Sequence, residues 1–596
     1  MSVKQNAMVE ELPVWNLDDL YSGPDSQALE ADLSAAKSDS QAFQAQYEGQ
    51  LAGVSGVELA KTITYYEQIL DKLYRVMSYA QLLHAGDMGN AEVGRFYQTL
   101  QERVTDIMSI TLFYTLELNH IDDETLSEQM TAPELLHYAP WIDETRAMKP
   151  HQLSDELEKL LHEKSVTGRS AWSRLFDETM ADVRFDVAGT ERTMSETLNQ
   201  MSDEDGTKRE VAARALSKGL SDHSRVLSLI TNTLAKDKEI EDGWRKFSSP
   251  MASRNLANQV EDDVVDALAD AVRESYGDLS HRYFAMKAKW FGQEKLNWWD
   301  RNAPLPDADG KVYSWDQAKN SVLSAYGGFA PEMASIAEQF FDDRWIDAPP
   351  RPGKNSGAFS HPTVSSAHPY ILMNFHGKTR DVMTLAHELG HGVHQVLAAP
   401  QGTLMANTPL TLAETASVFG EMLTFQSLLA NESDPKHKRI MLAGKVEDMM
   451  NTVVRQIAFH EFEKRVHAER PKGELSADRL AEIWMDTQRE SLGPVFNFDD
   501  DYKPLWGYIP HFIHSPFYVY AYAFGDCLVN SLYSVFKDGH PEFQTKYFEM
   551  LKAGGTKRHK ELLAPFGLDA SDPDFWRRGL SVITGFIDEL EAVADQ

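Results

Sequence analysis

Residues 382–394 read Val-Met-Thr-Leu-Ala-His-Glu-Leu-Gly-His-Gly-Val-His, and within them His387, Glu388 and His391 form an HExxH pattern. Residues four apart on a helix stand one turn above each other, so both imidazoles can turn toward one metal ion. Glu388, one position on, projects to the side, where it can serve as a base without being a ligand. This suits hydrolysis, because zinc brings the pKa of bound water to about 7 and polarises a carbonyl while the carboxylate takes the proton. With 20 histidines in the chain, the competing reading is a chance match on a structural helix. Gly390 and Gly392 argue against it: each costs about 1 kcal/mol relative to alanine inside a helix, which close approach of backbone or substrate in a crowded metal cleft would explain. His394 lies a turn beyond His391, and a structural or supporting role is expected of it.

A third ligand must come from another element. The extended pattern HExxHxxGxxH is excluded, since the corresponding positions hold His394 and Leu397. The best candidate is Glu414, in Leu412-Ala413-Glu414-Thr415-Ala416-Ser417-Val418-Phe419-Gly420-Glu421. If Thr408 caps this helix and Pro409 opens it, Glu414 lies inside and is free to bind metal. If Thr411 is the cap, Glu414 is instead the acid of a capping box. Glu421, seven residues on and so about two turns away on the same face, could accept a hydrogen bond from a ligand histidine.

A last cluster spans residues 506–525 and carries His511, His514, Tyr518, Tyr520 and Tyr522. Tyrosine and histidine are the donors an oxyanion needs, and core packing is the alternative for so many aromatics. With a helix starting near Pro516, Tyr518 and Tyr522 would share a face and Tyr520 would point away.

These residues need elements to hold them. Thr379-Arg380-Asp381 suits a helix start ahead of the HExxH residues. Before it, residues 369–375 form a short apolar, aromatic run between Pro369 and His376-Gly377 that reads as a strand. The first half of the chain is expected to be mostly helix, since proline is absent between Pro24 and Pro133 and between Pro150 and Pro250. Alternation around Ala188-Gly189 predicts a hairpin over residues 183–192. Residues 203–260 read as charged helices, and residues 298–306 and 351–353 supply turn signals.

At 596 residues, several lobes are expected. The division read from the sequence is an N-terminal helical lobe, residues 1–200, with the hairpin near its end, and a catalytic region, residues 201–596. A formal charge of −33 disfavours nucleic acid and anionic membranes as partners. The single cysteine, Cys527, excludes an internal disulfide and a thiolate metal site and fits a reducing cytoplasm. Residues 1–11 show no apolar stretch behind a basic cluster, so no secretory signal is expected, and no run approaches the roughly 20 apolar residues that span a bilayer.

Taken together, the Arg351-Pro352-Gly353 to Ser360 stretch, residues 369–375, HELGHGVH at 387–394, Glu414-Thr415-Ala416-Ser417, and Pro510-His511-Phe512 with Pro516-Phe517-Tyr518-Val519-Tyr520 resemble the oligoendopeptidase F branch of the thimet oligopeptidase-like zinc peptidases. The likeness is strongest after residue 200. It implies a mainly α, zincin-like metallopeptidase: two predominantly helical lobes around a deep substrate channel, with a small β-sheet beside the zinc helix. Residues 358–360 and 370–374 would be strands of that sheet, whose edge can pair with an extended peptide. The resemblance further implies one zinc ion per chain on His387, His391 and Glu414, Glu388 as general base, and His511, Tyr518 and Tyr522 as transition-state contacts, with the choice of tyrosine open. The expected activity is endopeptidase cleavage of short, unstructured peptides. The alternatives are a zinc carboxypeptidase or dipeptidyl carboxypeptidase, and an inactive peptide-binding helical protein. Oligomeric state is not legible.

Overall fold

The computed structural model describes residues 12–165, 167–305 and 311–594. The N-terminal residues read for a signal and Pro306 of the 298–306 turn lie outside them. Among these residues the fold is mainly α with three small sheets. Among the described residues no helix is long and apolar enough to cross a membrane.

The chain forms two compact units, each gathered from three separate stretches: Met1–Lys149, Gly310–Asn431 and Gly539–Gly567 in the first, Pro150–Asp309, Glu432–Asp538 and Leu568–Gln596 in the second. A single cut at residue 200 does not describe them. Residues 150–200 pack with the second unit, while the region containing HExxH packs with the first 149 residues.

In the first unit, helices Gln27–Tyr47, Gly56–Gly86 and Ala91–His120 pack on one another. Phe43 and Tyr114 are fully buried between them with ring centroids 5.0 Å apart. Serine and asparagine at the starts of the latter two accept backbone N–H groups, as Ser55 does from Glu58. A three-stranded sheet follows in which Tyr370–Leu372 is central, parallel to Ile346–Asp347 and antiparallel to Phe359–His361. Two of these strands were expected; the two-residue strand Ile346–Asp347 is too short to leave a periodic signal. The central strand is wholly buried, as a strand covered on both faces must be.

Helix Thr379–Ala398 comes next and packs most extensively on Ser417–Asn431, with Trp315–Phe329, Pro331–Asp342 and Phe543–Lys552 also against it. Its buried stripe is Val382, Leu385, Ala386, Leu389 and Val393.

The second unit has its own core. Aliphatic side chains of Gly206–Asp222 and Ser224–Trp244 meet aromatics of Arg455–Glu469, Ala477–Leu492 and the connecting segments there, including Trp298, Phe462 and Trp484. Helix Tyr520–Lys537 lies against the C-terminal helix Pro573–Ala594. The expected hairpin is present: Phe185–Val187 pairs antiparallel with Thr190–Arg192 through Ala188 and Gly189, both at positive φ.

Candidate metal centre

The start of helix Thr379–Ala398 is fixed by Asp381, whose carboxylate accepts the backbone N–H groups of His376 at 2.8 Å and Lys378 at 2.9 Å. About two and three turns later come His387 and His391, with ring centroids 4.9 Å apart and planes at 82°. Tyr326, fully buried, donates its hydroxyl to the Ala386 carbonyl at 2.5 Å and so steadies the helix one residue before His387.

Glu414 arrives by a route the sequence did not suggest. Leu410–Ala413 is a single helical turn entered from Pro409, Glu414 caps its C-terminal end, and a separate helix runs Ser417–Asn431. Neither expected frame is realised: Thr411 does not cap the turn, and Glu414 and Glu421 do not share one continuous helix. The junction is tied instead by Tyr547, whose hydroxyl donates to the Thr415 carbonyl at 2.8 Å, and by the Thr415 hydroxyl donating to Leu412 O at 2.6 Å. Gly390 lets this junction approach the HExxH helix, since a β-carbon there would stand 2.6 Å from Ser417 Cα and nearer still to the Ala416 carbonyl oxygen. Gly392 serves packing: its missing β-carbon is replaced by the Phe340 ring.

The result is a compact donor set. Glu414 Oε2 lies 3.3 Å from His387 Nε2 and 3.5 Å from His391 Nε2, and the three ligand atoms lie within 4.8 Å of one another. Donors about 2.0–2.1 Å from a tetrahedral zinc ion are separated by about 3.4 Å, so two of the spacings match that ion, and the two-imidazole, one-carboxylate set matches its chemistry. Among the described residues this is the one group of three that could hold a metal. Glu421 Oε2 stands 3.3 Å from His387 Nδ1. Glu421 is placed to accept a proton from Nδ1, which leaves Nε2, beside Glu414, as the nitrogen open to a metal. Ser417, which the sequence reading passed over, donates its hydroxyl to Glu414 Oε2 at 2.5 Å; its place three residues after a candidate ligand was the available signal.

Without a metal charge, the electrostatics divide these groups. Burial works to lower His387, but the Glu421 hydrogen bond and the charges of Glu414, Glu388 and Glu421 outweigh it and raise it to about 9. Burial lowers His391 to about 4, with the carboxylate of Glu414 opposing and His387 adding to the fall. For Glu414, burial pushes upward and is overcome by His391, His387 and the Ser417 hydroxyl, so it stays below its ordinary value. Glu388 is 6% exposed, and burial raises it to about 7 against the pull of His387. His394 is likewise buried and lowered to about 4 by burial and then by His391, consistent with a neutral, supporting ring.

His511, Tyr518 and Tyr522 form a second group, in the other unit. His511 Nε2 is 3.3 Å from the Tyr522 hydroxyl, and the rings of Tyr518 and Tyr522 lie 5.3 Å apart at 74°. Burial, then the charges of Arg455 and His514, lowers His511 from its ordinary value. The helix begins at Tyr520 rather than near Pro516, yet Tyr520 does point away: it is fully buried and its hydroxyl accepts from Asn258 at 2.9 Å. His514 is held aside, Nε2 2.8 Å from Asp177. Between the short helix His511–His514 and Tyr520, Phe517 sits at φ 59° with its N–H donating to buried Glu463 Oε1 at 2.9 Å.

Residues 199–582 match Peptidase family M3, and residues 117–185 match Oligopeptidase F. Oligopeptidase PepF of Bacillus subtilis is 28% identical over 97% of this chain and 86% of its own length. A crystallised protein from Chlamydophila abortus superposes with a TM-score of 0.87 at 23% identity, covering 97% of this chain and 98% of that one. Oligoendopeptidase-F from Enterococcus faecium gives 0.71 at 22% identity, with 96% and 99% covered.

Proposed function

The chain belongs to Peptidase family M3, and from that premise we propose that this peptidase is a zinc-dependent endopeptidase of short, unstructured peptides, with His387, His391 and Glu414 as ligands and Glu388 as general base. The observation that carries the reading is the spacing of Glu414 from the two histidines, close to that of a tetrahedral zinc shell, with a buried carboxylate one residue from the first histidine. The names of its relatives, oligopeptidase and oligoendopeptidase, support the substrate class.

Zinc at this site supplies a Lewis acid that polarises a peptide carbonyl and makes water a nucleophile at neutral pH. Glu388 takes the proton from the attacking water and returns it to the leaving amine; its burial favours holding that proton in between. Glu421 keeps the His387 ring in one tautomer and one orientation. Ser417 fixes the rotamer of Glu414. His511 and Tyr522, with Tyr518 beside them, are proposed to donate to the oxyanion that forms as the carbonyl is attacked. Phe359–His361 is an edge strand, so its outer backbone groups are suited to pairing with an extended substrate. All proposed ligands and catalytic groups lie within residues 201–596, which we keep as the catalytic segment, and the single cysteine supports a cytoplasmic setting.

Mass spectrometry of a peptide pool, incubated with and without a chelator, tests the proposal. Internal cleavages that vanish with the metal are expected. Release of only C-terminal residues or dipeptides would indicate a carboxypeptidase, and zinc binding without any cleavage would indicate a peptide-binding protein.

A further inference from the structure

The second unit has a cavity of about 300 Å³, walled by Trp298, Trp484, Tyr502 and Tyr508 and carrying Arg301 and Arg455. Its charge is unbalanced. The chain has 91 acidic residues against 58 basic ones, and two buried cations of this unit are answered: Arg209 by Asp300 at 2.8 Å, Lys287 by Glu447 at 2.5 Å. Arg301 and Arg455 have no carboxylate partner among the described residues. The side-chain bonds of Arg301 reduce to one, to its neighbour Asn302 at 3.3 Å, and those of Arg455 to one, to the Tyr508 hydroxyl at 3.2 Å. Arg455 also lies over the Phe459 ring at 5.0 Å, a contact that satisfies part of a cation but does not neutralise it.

Among the described residues the nearby acids are already engaged. Glu447, whose charge reaches Arg301, is already bound by Lys287 and by the Tyr283 hydroxyl at 2.6 Å, and Asp300 is held by Arg209 through two nitrogens. Burial first, and the like charge of Arg455 second, lower Arg301 from its ordinary value. Two neighbouring guanidinium groups in a partly dry cavity are costly unless a counter-charge joins them.

We propose that this cavity binds a small organic carboxylate, of about the size of an N-acyl amino acid. The two guanidinium groups supply forked donors that match a carboxylate. The aromatic walls supply the apolar surface for what the carboxylate is attached to, and the volume is at the lower end of small-molecule sites and larger than a monatomic ion needs. None of the lining residues is a proposed metal ligand, and of the cavity's two cations Arg455 is the one whose charge reaches His511.

Calorimetric titration of the full chain with N-acetylphenylalanine, and with its uncharged amide, tests the proposal. The titration is run on zinc-loaded and on chelator-treated protein at constant ionic strength. The acid should bind in both states, because a carboxylate held by the zinc would be lost on chelation. The amide, and the acid with Arg301→Gln or Arg455→Gln, should bind at least tenfold more weakly. The ligand-free Arg301→Gln protein should melt no lower than the parent, since it loses one of two like charges, so weak binding by a folded variant is a property of the site. Equal binding of acid and amide, unchanged affinity in both variants, binding only to the zinc form, or saturation by chloride with none by the acid would each overturn it. So would a large drop in the melting temperature of ligand-free Arg301→Gln, which would make that guanidinium structural.

Discussion

Replacing Gly390 by alanine adds one methyl group where the HExxH helix meets the Glu414 junction. In an open helix the change would stabilise by about 1 kcal/mol. Here the new carbon would lie 2.6 Å from Ser417 Cα, whereas carbons settle at about 3.5–4.0 Å, so the 416–417 backbone must retreat by about 1 Å. Glu414 is carried by that backbone and tied to it through the Ser417 hydroxyl. Metal sites tolerate ligand displacements of about 0.2 Å, so the carboxylate should leave bonding range of an ion held by His387 and His391. The strain of about 1–3 kcal/mol from overpacking is partly offset by the helix gain, so the apo protein should remain folded. Gly390→Ala should therefore lose zinc affinity at least tenfold in competition with a chelator, with only a modest shift in thermal unfolding. Gly392→Ala is the matched control, its methyl group meeting the Phe340 ring instead of the junction; it should cost stability and leave zinc affinity near normal. Full zinc affinity in folded Gly390→Ala would refute the argument that this glycine seats Glu414.

Glu414→Ala should abolish tight zinc binding, whereas Glu421→Ala should weaken it or the activity by about 10- to 100-fold; the same chelator competition separates them, and normal affinity in Glu414→Ala would move the third ligand elsewhere. Tyr522→Phe should lower kcat by about 100-fold with little change in KM if its hydroxyl meets the oxyanion, and an unchanged kcat would remove it from that role. Glu463, 2% exposed, is raised to about 8 by burial, against the Phe517 N–H and the charges of Arg254 and Lys238. The folded state therefore holds a proton that the unfolded state releases near pH 4.5, and the parent loses stability as pH rises from there to about 8, by an amount on the order of 4 kcal/mol. Glu463→Gln can still accept the Phe517 N–H, so its melting temperature should match the parent below pH 4.5 and exceed it increasingly up to pH 8; parallel curves would contradict this.

Local features were the legible ones. The HExxH pair needs only the four-residue repeat of one helix, and the hairpin at Ala188-Gly189 needs only a turn that accepts positive φ. The contact of His387 with Glu421 was anticipated on a premise the structure replaces: the helix is interrupted between Ala413 and Ser417, and Glu421 reaches the ring from the second helix alone. That break is set by Tyr547 and Gly390, partners far away in the chain that no local periodicity records. Tyr520 was separated from its neighbours by spacing, although the helix starts later than expected because Phe517 holds a left-handed turn against Glu463. The compact units were hidden for a similar reason, since each is assembled from three stretches with chain from the other unit in between.

The central claim is that Glu388 is the base beside a zinc ion held by other residues. Glu388→Gln changes one oxygen to an amide of nearly the same shape, leaving His387, His391 and Glu414 intact while removing the group that takes the proton. Zinc content and peptide turnover measured on the same purified sample should separate: one equivalent of zinc as in the parent, and almost no hydrolysis. Turnover near that of the parent in the zinc-loaded variant would contradict the account.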